Sequence, residues 1–386
     1  RKMKQLDVEE LLQAARERTG LADFGPDDFR EGFALVVEDI NTEAQIRDAG
    51  WPPLRERFLR MLVNRLRFAQ DLKEHPEILE GEVESPVFIA SLPRTGSTNL
   101  QRMLGASGGL QTPAYWMTLM FARIPGLPDG GRDRRIQECR DFEKRMYETS
   151  PGILIGHPMF TDEPEEDLWL LEASFRHPIH GGMFHLPTYS AWLARTDWTP
   201  AFRYLHMQIQ YLRWQFGAER SKPWLSKTPS HFGCESLLCA AFKKPRFIVT
   251  HRDPVKCIPS ITTTSMAMRK LYSDYDSTPL LGPGLLGAFS ASANQHMKWR
   301  DENPDVDILD LDFRDIAEDG VATVRRVYEF LDLPFTAQAE QGIRDWEARN
   351  PQDKHGKATY SAASMNSSDD EIRAAFAEYR RRFADF

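Results

Sequence analysis

The chain has 386 residues, 41% of them hydrophobic and 27% charged, and its formal net charge is -8. This composition is typical of a globular protein with enough apolar residues for a sizeable core, which excludes a disordered chain. The acidic balance argues against a general nucleic-acid-binding protein, because such proteins are more often basic.

Cysteine spacing and the first residues bear on the compartment. The four cysteines are scattered, with neither a CxxC pair nor the Cys/His spacing of a metal site, so we expect free thiols in a reducing compartment. The N-terminal stretch is charged and amphipathic rather than a signal peptide, and no run approaches the roughly 18 apolar residues of a membrane span. The sequence therefore predicts a cytoplasmic protein without a transmembrane helix.

The pattern of residues 1–84 predicts a helical region. Apolar residues recur at helical spacing in three segments, and a shorter helix is expected between the second and the third: 8–18, 29–41, 42–49 and 52–72. Asp27 or Asp28 is the expected N-cap of the second helix. On the last helix the basic side chains lie opposite the apolar stripe, and we interpret them as a solvated face: Arg55, Arg57, Arg60 and Arg67.

The stretch 86–104 predicts a strand, a tight loop and a helix. Residues 87–90 form an apolar run typical of a buried parallel strand, and 91–98 form a turn rich in small and hydroxylic residues. Such a loop directs backbone N–H groups and a helix N-terminus at an anion, and Arg94 adds a positive charge. The loop is not a Walker A motif, because no lysine follows Gly96.

The next segment predicts a second core strand or its remnant at 111–116 and a helix at 134–149. Farther on, Thr161 or Asp162 has the chemistry of an N-cap, and three acids follow: Glu163, Glu165 and Glu166. The helix dipole favours acids in a first turn, which explains them structurally. The alternative is that one of them lines a substrate site.

The stretch 176–198 is dense in histidine, aromatic, glycine and proline residues. We expect no metal here, because Gly181 and Gly182 interrupt any helix that could align the histidines as ligands. A mobile apolar lid over a substrate pocket fits the composition better. With the predicted helix 200–216 it supplies the aromatic residues that we expect to wall this pocket: Phe184, Tyr189, Trp192, Trp198, Phe202, Tyr204 and Tyr211.

Three more apolar runs predict strands: 224–226, 246–250 and 305–311. Lys227 ends the first run, and Arg252 follows the second, where Asp253 and Pro254 start a helix. Other helices are expected at 231–242, 288–300, 321–331 and 369–383, with a Gly/Pro loop at 273–287. Strands separated by helices predict an α/β fold with a central parallel sheet flanked by helices, and such sheets bind ligands at the carboxyl ends of their strands.

Two motifs together resemble the sulfotransferase family that uses 3′-phosphoadenylyl sulfate (PAPS): PRTGST at 93–98 and RFIVTHRDPVKCIPS at 246–260. WLSKTPSH at 224–231 is similar to the family's lysine segment, and KHGKATYS and EYRRRF are similar to the C-terminal pattern of its bacterial branch. The resemblance covers roughly residues 30–386 and implies a P-loop-like fold with an added N-terminal helical region. The implied parts are a helical region at 1–84, a PAPS-binding domain at 85–386 and an acceptor-site insertion at about 150–216.

The resemblance also implies which residues bind the donor. The PRTGST loop looks like the one that holds the 5′-phosphosulfate, with these residues: Arg94, Thr95, Gly96, Ser97, Thr98 and Asn99. Arg252 and Ser260 resemble the pair that holds the 3′-phosphate, although Pro259 disturbs the helix just before Ser260. The C-terminal stretch implies further nucleotide contacts: Lys354, His355, Gly356 and Lys357.

Sulfuryl transfer to an alcohol or phenol needs positive charge at the leaving phosphate and a base for the acceptor hydroxyl. Arg94 and Lys227 suit the first task. For the base we favour His231, because imidazole titrates near neutrality, over Glu166, which would need burial to become basic enough. In relatives with a Lys-x-His segment the histidine lies two residues after the lysine, whereas His231 lies four after Lys227.

We therefore predict a PAPS-dependent sulfotransferase that acts on a hydrophobic, hydroxylated small molecule, with no metal and no nucleic acid. A P-loop-like nucleotide kinase or phosphotransferase is the alternative, but it needs Mg²⁺ ligands and a Walker lysine, and the sequence shows neither. A nucleotide-binding protein without catalysis is a third possibility, which turnover dependent on Lys227 and a base would distinguish.

Overall fold

A four-stranded parallel sheet lies at the centre of the part of the chain that the structure describes. The structure is a computed structural model that describes residues 5–217, 221–351, 354 and 360–383. Its strands are β1 (Val87–Ile89), β2 (Leu225–Lys227), β3 (Arg246–His251) and β4 (Ile308–Asp312). They form one sheet in the order β2-β1-β3-β4. The predicted α/β fold with a central parallel sheet is confirmed.

Helices connect the strands and cover both faces of the sheet. In chain order the described helices are α1 (Val8–Thr19), α2 (Arg30–Thr42), α3 (Trp51–Glu74), α4 (Ser97–Ser107), α5 (Tyr115–Leu119), α6 (Arg132–Thr149), α7 (Gly152–Gly156), α8 (Leu168–Leu171), α9 (Ile179–Met183), α10 (Pro187–Leu193), α11 (Thr199–Gln215), α12 (Glu235–Ala241), α13 (Pro254–Cys257), α14 (Pro259–Arg269), α15 (Thr278–Glu302), α16 (Phe313–Glu318), α17 (Gly320–Phe330), α18 (Ala337–Arg349), α19 (Asp369–Ala375) and α20 (Ala377–Arg382). Among these described helices, none combines the length and the apolar character needed to span a membrane.

The two faces of β1 pack against different helices. Successive side chains of a strand point to opposite faces, so Val87 and Ile89 pack with α4, α17 and α18, while Phe88 packs with α11 and α12. All three side chains are completely buried, as expected for a parallel strand that is covered on both sides. The loop that follows β1 is therefore anchored in the middle of the core.

The N-terminal helices α1, α2 and α3 share one hydrophobic cluster with Phe175 and with residues of α9 and α10. Two basic side chains of α3 are directed inward there, with Arg57 0% and Arg60 11% exposed. Their guanidinium groups pair with the two carboxylate oxygens of Glu172 at 2.5 and 2.6 Å. The interpretation of a solvated basic face is wrong for these two residues, whereas Arg55 remains partly exposed. The predicted N-terminal helical region is present; the boundary between residues 84 and 85 stays a prediction.

The chain between the second and third helices differs from its prediction. Asp27 and Asp28 do not cap α2, because they lie in a short 3-10 turn and accept no cap hydrogen bond. The predicted helix at 42–49 is wrong: Gln45 has a φ of 49°, and Ile46 forms an antiparallel bridge to the segment after α14. A tertiary contact therefore overrides the local helical pattern.

The segments around residue 111 and residue 165 have different outcomes. Gln111 forms a single bridge to Trp224 and α5 follows, so of the two predicted forms, a strand or its remnant, the remnant is present. The helix expected after Asp162 begins at α8, because the acidic segment is extended and pairs with residues 113–115. The backbone N–H of Glu165 donates to Pro113 (3.1 Å), and that of Tyr115 to Glu163 (2.9 Å). The three acids are therefore not a first helical turn.

The stretch 176–198, for which the sequence predicts a mobile lid, is packed against the core. Phe184, Tyr189 and Trp192 of this stretch pack in the cluster of the N-terminal helices, and Trp198 packs against both this cluster and the next. The aromatic residues of α11 lie in that second cluster: Phe202, Tyr204 and Tyr211. Arg269 holds the stretch in place by donating to the carbonyls of Gly182 (3.2 Å) and Phe184 (2.8 Å). The aromatic residues there serve packing.

Three helices of the second half begin or end differently from the prediction. The expected loop at 273–287 is largely helical and belongs to α15. Pro283 lies near the start of this helix and has no N–H to donate to the carbonyl of Pro279. The side-chain amide of Asn366 donates to that carbonyl instead (3.5 Å). Helix α12 begins later than expected, so His231 lies in a 3-10 turn before it. The last helix is broken at Phe376, and α18 was not predicted.

Candidate active site

The loop between β1 and α4 is held in a conformation with two left-handed residues. Arg94 has a φ of 59° and Gly96 a φ of 85°. A Cβ on Gly96 would lie 3.3 Å from the side chains of Phe313 and Ile316, so this position favours glycine both in conformation and in space. Helix α4 begins directly afterwards, which leaves its first N–H groups available to an anion.

The loop is fixed to the neighbouring strand by hydroxyl groups. Thr95 is buried, and its Oγ1 donates to the carbonyl of Leu92 (2.8 Å) and is hydrogen-bonded to Oγ1 of Thr250 on β3 (2.6 Å). Ser97 is buried, Thr98 is half-buried and Asn99 is exposed. Of the residues predicted in this loop, Thr95 therefore serves mainly to shape it.

Two arginines lie at the loop, Arg94 within it and Arg252 against its backbone. The exposed Arg94 side chain donates to the carbonyl of Gly156 (3.0 Å), and its guanidinium carbon lies 5.8 Å from the centre of the Tyr360 ring. Arg252, just after β3, donates to the carbonyl of Arg94 (3.0 Å) and lies 3.9 Å above the ring of Phe313. Burial lowers the pKa of Arg252, although an arginine remains protonated at neutral pH.

Lys227 connects the end of β2 to the start of α4 and to the acidic segment. Its Nζ donates to Oγ1 of Thr98 (2.8 Å) and to Oε1 of Glu166 (2.5 Å). The lysine and glutamate side chains are only 2% and 7% exposed. Thr228 lies 3.5 Å from the other carboxylate oxygen of Glu166. Three elements that are distant in sequence therefore meet at one ammonium group.

A second acid, Glu165, binds a histidine that the sequence analysis did not identify. Nε2 of His157 lies 2.8 Å from Oε1 of Glu165, and Arg102 lies 3.6 Å from Oε2. Burial by itself would raise the pKa of Glu165, but His157, Arg102 and Lys227 together lower it to about 2. Glu165 is therefore ionised at neutral pH. His157 belongs to no recognisable sequence motif, so its pairing with an acid eight residues later could not be predicted from the sequence.

His157, Glu165 and Glu166 have ligating atoms within 4.8 Å of one another, the spacing of a metal site. Cationic side chains already lie beside both carboxylates, since Lys227 pairs with Glu166 and Arg102 lies near Glu165. We therefore interpret the group as an ion-pair network.

The predicted base His231 lies inside the core. Its side chain is 0% exposed, Nε2 is 2.8 Å from Oδ2 of Asp167, and the ring centre lies 5.3 Å from that of Phe88 and 6.1 Å from that of Phe202. Nδ1 is buried and has no hydrogen-bond partner in the described part of the chain.

Other predicted donor-binding residues also point elsewhere. Ser260 is completely buried and donates to the carbonyl of Cys257 (2.7 Å), so it could bind a ligand only by exchanging this hydrogen bond. Lys354 is exposed and donates to the carbonyl of Arg349 at the end of α18 (2.8 Å). The predicted contacts of the intervening C-terminal stretch lie outside the described residues: His355, Gly356 and Lys357.

A cavity of about 690 Å³ lies beside the C-terminal half of α4 and reaches Arg102, which is near Glu165. Its lining includes Arg102, Trp224 and Trp346. From the predicted acceptor segment at about 150–216, six residues line it: Asp162, Glu163, Pro164, Leu212, Gln215 and Phe216. Neither Arg94 nor Lys227 lines it. The cavity therefore does not coincide with the strand-end cluster.

Comparison with known proteins gives a consistent assignment. A family model described as the sulfotransferase family matches residues 86–337. The fold is similar to crystal structures of the sulfotransferase STF9 from Mycobacterium avium (24% identity, 99% of this chain and 98% of that one, TM-score 0.86) and of the sulfotransferase STF1 from Mycobacterium tuberculosis (25% identity, 97% and 99%, TM-score 0.81). A search among curated proteins gave no match.

Proposed function

The chain belongs to the sulfotransferase family, and from this premise we propose that it transfers a sulfuryl group from PAPS to a hydroxyl of a hydrophobic small molecule. The observation that carries the proposal is the convergence of three cations, Arg94, Lys227 and Arg252, at the carboxyl ends of β1, β2 and β3. This edge is where parallel sheets bind ligands, and the donor carries its charge on phosphate and sulfate groups.

The loop and α4 suit the 5′-phosphosulfate. The N-terminus of α4 offers N–H groups, and Lys227 and Arg94 offer charge where the bridging oxygen becomes negative as the bond to sulfur breaks. Lys227 is already oriented by Thr98 and Glu166, so its position does not depend on the ligand. Preorganised charge of this kind stabilises a transition state more than a mobile side chain does.

Arg252 suits the 3′-phosphate. It stands at the end of β3 beside the short helix α13, and the ring of Phe313 and the carbonyl of Arg94 hold its guanidinium in place. The proposal for Ser260 needs a change of its side-chain rotamer, and the contribution of Lys354, His355, Gly356 and Lys357 stays a prediction.

An exposed apolar side chain one residue away from a contact of Arg94 supports a hydrophobic acceptor. Ile155 on α7 is 43% exposed, and it directly precedes Gly156, whose carbonyl contacts Arg94. Exposed large apolar side chains next to a reactive group are suited to an apolar substrate. The cytoplasmic location also stays a prediction, with which the four free cysteines agree.

The test measures both binding and turnover. Adenosine 3′,5′-bisphosphate is expected to raise the unfolding midpoint, because a ligand that binds only the folded state stabilises it, and PAPS with a panel of phenols and sterols should give sulfated products in the presence of EDTA. An exposed-site variant, Arg373→Ala, serves as the control. Binding of ATP–Mg²⁺ in place of the bisphosphate, or activity that requires Mg²⁺, would favour the kinase alternative. Binding without any turnover would favour a non-catalytic nucleotide-binding protein.

A further inference from the structure

His157 lies between the donor loop and the acidic pair. The residue before it, Gly156, accepts a hydrogen bond from Arg94 (3.0 Å), and its own Nε2 is 2.8 Å from Glu165 and 3.9 Å from Glu166. The Glu166 carboxylate in turn pairs with Lys227. His157 is therefore adjacent in sequence to a residue that contacts Arg94, and the Glu166 carboxylate lies between its imidazole and the Lys227 ammonium.

Three histidine–carboxylate pairs of the described residues lie near this edge, and they differ in access. In the pair of Asp310 with His251, the last residue of β3, the imidazole is 1% exposed. In the pair of His231 and Asp167 both side chains are 0% exposed, with aromatic rings against the imidazole. In the pair of His157 and Glu165 the carboxylate is 1% exposed but the imidazole is 22% exposed. A general base must come within hydrogen-bond reach of the proton that it removes. Of these three imidazoles, only that of His157 can meet a substrate without a change in the core.

The hydrogen bond to Glu165 determines which ring nitrogen of His157 is basic. Glu165 is ionised and can only accept, so Nε2 carries the proton and Nδ1 carries the lone pair. No hydrogen bond from a described residue reaches Nδ1. When Nδ1 takes a proton, the Glu165 carboxylate stabilises the resulting imidazolium, as carboxylates do in other histidine–carboxylate pairs.

The other acid of the site is less suited to the same task. Glu166 is 7% exposed and pairs with the Lys227 ammonium at 2.5 Å, so its charge is engaged in holding that lysine. The charged groups facing His157 are thus Glu165 and Glu166, with Arg94, Arg102 and Lys227 behind them.

We propose that His157 is the general base that removes the proton from the acceptor hydroxyl, with Glu165 as its positioning residue. This inference rests on the proposed sulfuryl transfer. The acceptor oxygen forms a bond to sulfur, and the bond between sulfur and the bridging oxygen breaks. The electron pair of that bond leaves with the 5′-phosphate, and the hydroxyl proton passes to Nδ1 of His157 and later to water. Lys227 and Arg94 receive the charge on the departing phosphate.

The first test compares single histidine variants with 2-naphthol and 4-nitrophenol as acceptors. His157→Gln should lower kcat for 2-naphthol by about 10²-fold or more, and less for the more acidic 4-nitrophenol, which needs less help in losing its proton. Affinity for adenosine 3′,5′-bisphosphate should stay unchanged. His206→Gln, a half-buried histidine of α11 that contacts Phe242, is the matched control. Equal losses for both phenols, or a larger loss with His231→Gln at unchanged bisphosphate affinity, would overturn the proposal.

The second test keeps His157 and changes its partner. Glu165→Gln removes the carboxylate that stabilises the imidazolium, so the acid limb of the kcat profile should move to lower pH while the Lys227 contacts remain. An unmoved limb overturns the assignment even if His157→Gln fails to fold. A wild-type protein that binds no bisphosphate and sulfates no phenol would instead remove the proposed function itself, which distinguishes the two failures.

Discussion

Nζ of Lys227, the last residue of β2, lies 2.8 Å from Oγ1 of Thr98 in the first turn of α4, although the two residues are 129 positions apart. The same ammonium lies 2.5 Å from Glu166, which comes from a third segment. The lysine thus joins the start of α4, the end of β2 and the acidic segment. Replacing it should affect both the chemistry and the stability of the fold.

Lys227→Met should abolish measurable turnover and lower the free energy of unfolding by about 3–5 kcal/mol, because Glu166 would remain as a buried carboxylate without its partner. The double variant Lys227→Met with Glu166→Gln should regain much of the stability but none of the activity. Urea unfolding and kcat for 2-naphthol measure the two effects. A double variant as unstable as the single one would show that the ion pair does not carry the loss.

Arg252→Ala should weaken binding of adenosine 3′,5′-bisphosphate by about 1.5–3 kcal/mol, the contribution of a charged hydrogen bond. Affinity for adenosine 5′-phosphate, which lacks the 3′-phosphate, should hardly change. Calorimetric titration of both ligands into both proteins measures the difference. Equal losses for the two nucleotides would remove Arg252 from the 3′-phosphate role.

The lowered pKa of Glu165 predicts a specific acid sensitivity. Its pKa falls from 4.5 to about 2 in the folded protein, so its ionised form stabilises the fold above about pH 4.5, and this contribution disappears as the pH falls toward 2. Glu165→Gln should therefore be less stable than the parent at neutral pH, and the gap should narrow over that acidic range. Urea unfolding at a series of pH values measures the gap, with the exposed Glu9→Gln as the control. A gap that stays constant with pH would contradict the ion-pair explanation.

Ile155→Ser should raise the KM for sterol and naphthol acceptors by about tenfold, equivalent to roughly 1.4 kcal/mol, while bisphosphate affinity stays the same. The matched control is Leu79→Ser, which removes an equally exposed apolar side chain (44% against 43%) from a distant 3-10 turn. If polar sugars are sulfated far better than these acceptors, the hydrophobic-acceptor proposal is wrong.

The cationic part of the site could be predicted because it depends on strands. Arg94, Lys227 and Arg252 each follow an apolar run, and parallel strands bring their carboxyl ends to one edge whatever the connections between them. The fold class followed from the same runs.

The acidic part could not be predicted because it depends on tertiary partners. The acids after Asp162 fit a first helical turn, yet pairing with residues 113–115 keeps them extended, and Arg102 and Lys227 lie beside their carboxylates. In the same way, the helical periodicity of the sequence identified the apolar stripe of α3. It did not indicate that Arg57 and Arg60, outside this stripe, form ion pairs with Glu172. A sequence pattern indicates which side chains share a face and leaves open what packs against it.

The hydrogen bond between Thr95 and Thr250 joins residues that are 155 positions apart. During synthesis β1 therefore leaves the ribosome long before either strand that pairs with it, and both of its edges stay unpaired until residues 225–251 have followed. Exposed apolar strand edges promote aggregation, so fragments that stop before β3 should need chaperones to stay dispersed. The loop between β1 and α4 should then gain its protection from hydrogen exchange in a single late step, together with the pairing of β1 and β3.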